Sequence, residues 1–102
     1  MDTDAYNFLA ERLGLKTDIG RKALTLAVEN IKTLDRKQQD YGSQNIARHG
    51  QYGVIVRCDD KTARLANLLN KDTAQNESVL DSWLDLANYG IIGALVSLGE
   101  WE

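Results

Sequence analysis

A chain of 102 residues has material for one hydrophobic core and not for two, so residues 1–102 are expected to form a single domain. An apolar content of 43% argues against disorder, and a net charge of −3 removes any general attraction for a nucleic-acid backbone. Direct duplex binding is therefore not expected, and affinity for phosphate has to come from a local cluster.

The one cysteine, Cys58, supplies neither an internal disulfide nor a zinc site and suits a reducing compartment. The opening MDTDAYNFLAERLG is acidic and broken by charges, unlike a secretory leader. The longest apolar run, IIGALVSLG, falls short of a bilayer span. These features predict a cytoplasmic protein with no membrane partner.

Proline is absent, so nothing forbids long helices. The first predicted helix is short, Asp4 to Leu13, with Thr3 or Asp2 as cap and Gly14 as stop. The second runs from about Thr17 or Asp18 to Tyr41, with Leu24, Ala27, Val28, Ile31 and Leu34 as a 3.6-residue stripe, and Gly42 ends it. GSQNIARHGQYG, residues 42–53, reads as a glycine-rich loop with room for one helical turn near Asn45 to His49.

The third long helix covers about Tyr52 to Asn70. Ile55, Cys58, Leu65 and Leu69 form its expected core stripe, and Arg57, Asp60, Lys61 and Arg64 form a charged file beside it. KDTAQN is a turn with Thr73 and Asn76 as capping candidates. The last helix covers about Asn76 to Leu98, with Gly90 and Gly93 inside it at some cost in propensity. The expected fold is all-α, a small bundle of about four helices in which the three long ones make the core.

The chemistry gathers on the last two helices. Val79, Leu80, Trp83, Leu84, Leu86, Ala87 and Ile91 cover most of the final helix, which predicts burial on most sides. One chain is short for that task, so a homo-oligomer is expected, with Trp83 and IIGALV as interface material.

Glu77, Asp81, Asp85 and Asn88 share one stripe of that helix. Carboxylates near a core are costly unless paired or bound to a metal. The Arg57, Lys61 and Arg64 file can neutralise them through interhelical salt bridges. Alternatively a Mg²⁺ ion can be held by carboxylates and completed by water and substrate phosphates. Spacing alone leaves these two readings about equally supported. Asp40, Tyr41 and Asn45, at the end of the second helix and just beyond it, add polar groups. His49 reads as a solvated loop residue and Cys58 as packing.

Three segments in order, DYGSQN (40–45), GVIVRCDDKTARLANLL (53–69) and NESVLDSWLDLANYGII (76–92), resemble the nucleotide modification associated domain one family. These are small all-helical proteins found largely in bacteriophages and related bacterial loci. The resemblance spans about residues 20–96 and implies a role around nucleotides, in the host cytoplasm if phage-encoded. The helix beginning ESVLDSWLDLANY is also similar, more weakly, to that of the all-α MazG-like nucleoside triphosphate pyrophosphatases, which implies a Mg²⁺ cofactor. Here, however, the spacing is Glu77-x-x-x-Asp81-x-x-x-Asp85 rather than E-x-x-D, and the second helix has no E-x-x-E pair.

Two functions follow. In a nucleotide-processing enzyme, Glu77, Asp81 and Asp60 would hold metal, and Arg57, Lys61 and Arg64 would hold phosphates. Asp81 would sit at the catalytic centre, with Asp85 or Asp40 orienting water or a sugar hydroxyl. In a binding protein that sequesters a nucleotide or nucleotide-derived signal, the same basic file grips phosphate. Tyr41 or Tyr52 stacks on the base, Asn45 contributes hydrogen bonds, and the acids are salt-bridge partners. A third reading, in which the charged files only lock helices together, is equally open to the sequence.

Overall fold

A computed structural model describes residues 1–71 and 76–101, with the side chains of Ala47, Asn76, Glu77 and Ser78 outside the description. Thr73, one of the two expected caps, is likewise outside the described residues. Every regular element among them is helical: α1 (Thr3–Arg12), α2 (Asp18–Tyr41), α3 (Gln44–Ala47), α4 (Gly50–Leu69) and α5 (Asn76–Ser97). The chain divides into two compact units, Met1–Arg36 and Lys37–Glu102.

In the first unit, the Asp2 side chain accepts the Ala5 N–H at 2.8 Å and caps α1. The helix closes with Gly14 N–H bonded to Glu11 O and Leu15 N–H bonded to Ala10 O, both at 3.0 Å, a glycine-ended stop. Thr17 Oγ1 takes the Gly20 N–H at 2.9 Å and starts α2. The Tyr6 hydroxyl donates to Glu29 Oε1 at 2.8 Å and ties α1 to α2, with Ala10 buried at the junction end. That hydrogen bond raises the Tyr6 pKa and lowers that of Glu29.

The second unit begins with the last residues of α2, which Gly42 terminates at φ +66°, a conformation open to glycine and strained for other residues. Its body is an antiparallel pair of α4 and α5. Lys61 meets Asp85 near the middle, and a Cβ placed on Gly93, late in α5, would stand 3.4 Å from Val54 Cγ1, early in α4. Val54, Leu65 and Ile92 are the buried apolar residues of this seam, with Ser82 and Asn88 buried beside them.

Two expectations are corrected here. The seam of α4 is Val54, Cys58, Lys61, Leu65 and Leu68 at heptad-like spacing, whereas Ile55 and Leu69 are exposed. The predicted stripe was rotated by part of a turn, because Lys61 takes a seam position that apolarity alone would not assign to it. Helix α5 is also not buried on most sides: Leu80, Trp83 and Ile91 are exposed on the side away from α4.

Candidate functional site

The charged file of α4 separates into members with different partners. Lys61 Nζ donates to Asp85 Oδ2 at 3.0 Å, and Lys37 Nζ donates to Asp85 Oδ1 at 3.3 Å, so each carboxylate oxygen has its own ammonium. Burial pushes the Asp85 pKa up, but the hydrogen bond from Lys61 and the charges of both lysines outweigh it and hold the carboxyl below its ordinary value. Of the Arg57, Lys61 and Arg64 file expected to neutralise the acids, Lys61 pairs with Asp85, and Lys37, outside that file, joins it. Lys37 lies 48 positions from Asp85, and no local pattern announces such a pairing.

Arg57 and Arg64 are left exposed, and among the described residues neither has an ion-pair partner. Two turns separate them, about 10 Å along the helix. They border one open depression of about 540 Å³, whose lining adds Asp60, Lys61, Asn67 and Tyr89. Arg57 also borders a second depression of about 500 Å³, lined by Asn45, Ile46, His49, Tyr52, Gly53 and Val56. Arg57 thus belongs to both.

The second depression exists because α3 and the start of α4 fold closely. A Cβ at Gly53 would stand 2.8 Å from His49 Cβ, a separation real structures do not show, so glycine permits this approach. The Trp101 indole Nε1 donates to Ser43 O at 3.0 Å and holds the C-terminal segment on the turn that leads into Asn45. Tyr52 is 82% exposed, with its ring free to meet a planar ligand.

The structure therefore brings Arg57, Asp60, Lys61, Arg64 and Asn45 to one side of α4. Asp40 and Tyr41 are exposed and line neither depression. Asp81 is exposed in the first turns of α5. Glu77 falls outside the described side chains. Sequence reasoning had set His49 aside and had not considered Asn67 or Tyr89. Tyr89 is one turn beyond Asp85, and that spacing was the signal that it shares the side of α5 nearest the file.

A Mg²⁺ site needs several oxygen ligands converging on one point. Among the described residues no three of His, Cys, Asp and Glu come together in that way. Asp85, expected to orient water or a sugar hydroxyl, is neutralised by two lysines. Asp60 and Asp81 form no such group among the described residues, and the Glu77 side chain lies outside them.

No family model, characterised protein or solved structure matches this chain.

Proposed function

We propose that this chain binds a nucleotide or nucleotide-derived molecule on the α4 face and holds it without turning it over. The observation that carries the reading is the pair Arg57 and Arg64, exposed, two turns apart, and without a carboxylate partner among the described residues. Each guanidinium can give paired hydrogen bonds to phosphate oxygens. Tyr52 and His49, in the depression that Arg57 shares, suit a base by stacking, and Asn45 offers both a donor and an acceptor to its edge.

The span from Tyr52 to Arg64 is about 18 Å of helix, long enough for a base at one end and a chain of phosphates at the other. The resemblance of residues 40–45, 53–69 and 76–92 to segments of the nucleotide modification associated domain one family, although no family model matches the chain, is the reason a nucleotide is the ligand class proposed. The processing reading keeps one observation in its favour: Asp60 lines the depression between the two arginines, where a carboxylate could meet a phosphate-bound cation.

The test is a thermal-stabilisation screen of nucleosides and their mono-, di- and triphosphates, canonical and modified, with and without Mg²⁺, followed by chromatography of the products. Stabilisation by phosphorylated compounds and not by nucleosides, with no product formed, is the expected result. Product that appears only with Mg²⁺ would replace the binding reading by the enzymatic one. No stabilisation by any compound would remove both.

A further inference from the structure

Helix α5 carries an exposed apolar face with its own register. Leu80, Trp83, Ala87, Gly90, Ala94 and Ser97 recur at alternating steps of three and four, and Ile91 and Leu98 flank them. All are exposed; the large ones, Leu80, Trp83, Ile91 and Leu98, are 50%, 52%, 41% and 68% accessible. The segment Val79–Ser97 is long and apolar enough to cross a membrane by length and composition, yet only 17% of it is buried. A free helix face of this kind calls for an occupant.

We propose that the occupant is a second copy of this chain, docked through α5 against α5 in antiparallel orientation about a two-fold axis near Ala87 and Gly90. Three features favour it. First, the seam is self-complementary only when the helices run in opposite directions: Trp83 then lies over Ala94 of the other copy, Ala87 meets Gly90, and Leu80 meets Ser97 beside Leu98. Large side chains face small ones away from the axis, and the small residues at the axis let the backbones approach. A parallel pair would set Trp83 on Trp83.

Second, a Cβ at Gly90 meets nothing within 4 Å, so the space over the axis is open to a partner. Third, the exposed groups offer roughly 500 Å² per copy, about 1,000 Å² for the pair, which reaches the lower limit for a specific interface.

A lipid bilayer is the competing occupant, and the charges argue against it. The same segment carries Asp81, exposed, and Asp85 with its two lysines, and the neighbouring α4 exposes Arg57 and Arg64. A bilayer spanned by this segment would have to accept all of them.

Sedimentation velocity of the full chain over a range of concentrations, beside the Gly90→Glu variant, tests this. The parent is expected to be a dimer and the variant a monomer with the same helical circular dichroism, because the new side chain has open space within its own chain. A parent that is monomeric at every concentration up to about 100 μM, where a dimer of micromolar Kd would be mostly formed, overturns the proposal, as does a variant that still dimerises. A parent that is monomeric and floats with phosphatidylcholine–phosphatidylglycerol vesicles assigns the face to a membrane and also overturns it. In a Cys58→Ala background, a Trp83→Cys chain mixed with an Ala94→Cys chain should cross-link at least several-fold faster than either alone. Equal rates would refute the antiparallel register.

Discussion

Replacing Asp85 by asparagine removes the charge that two lysines share while keeping the shape of the side chain. The Lys61 side chain is 25% exposed and that of Asp85 27%, so their pair at 3.0 Å lies between a surface ion pair and a buried one. Exposed pairs contribute up to about 1 kcal/mol, and breaking a buried pair costs about 3–5 kcal/mol. Solvent screening at a quarter exposure places the Lys61 contribution at about 1–2 kcal/mol. Lys37, 53% exposed at 3.3 Å, adds a few tenths at most.

Asp85→Asn should therefore lose about 1.5–2 kcal/mol of stability. Urea unfolding followed at 222 nm and at fixed protein concentration measures it, with Lys61→Met and the double variant completing a cycle whose coupling energy should be about 1 kcal/mol. The pH dependence has a definite sign. Because the folded carboxyl titrates below the unfolded one, near 3.9, its contribution is complete above that value. It is lost as pH falls through the depressed folded value. The variant's stability should accordingly fall less on acidification than the parent's. A variant within about 0.3 kcal/mol of the parent, or a coupling energy of zero, would refute the assignment of Asp85 as a structural hub.

Other perturbations probe the remaining contacts. Leu65→Ala, at a position only 3% exposed in the α4–α5 seam, should cost about 2–3 kcal/mol by urea unfolding. Gly53→Ala should fail to give the usual helix gain of about 1 kcal/mol, because its Cβ would run into His49 Cβ; a raised melting temperature would contradict that contact. Trp101→Phe removes the indole donor to Ser43 O and should cost about 1 kcal/mol, with the largest amide chemical-shift changes at Ser43 to Asn45.

Helix identity was legible because local chemistry carried it. Asp2, Gly14 and Gly42 mark ends that the structure keeps, and the turn expected near Asn45 is α3, one residue earlier at its start. What was hidden depends on residues far apart in sequence. The seam position of Lys61 becomes visible only once Asp85 stands opposite it, and the partnership of Asp85 with Lys37 has no local signature. Apolarity all round α5 also does not reveal which side a neighbour covers: Ile92 is buried while Ile91, next to it, is exposed. The candidate site was half legible. Arg57 and Arg64 follow from helical spacing, and so does Asn67, one turn beyond Arg64, whereas Tyr89 joins them only through the packing of α5 on α4.

The phosphate-binding role of the α4 arginines is tested most directly by isothermal titration of a nucleoside triphosphate into the parent, Arg64→Lys, and the Arg57→Ala/Arg64→Ala double variant, at two salt concentrations without Mg²⁺. Both arginines are exposed and outside the α4–α5 seam, so all three proteins should melt within a degree or two of one another. The account predicts salt-sensitive binding by the parent, a weaker affinity for Arg64→Lys because an ammonium cannot reproduce paired guanidinium hydrogen bonds, and a loss of at least about tenfold in the double variant. Unchanged affinity in the double variant, or a parent that releases no heat with any triphosphate, would contradict it.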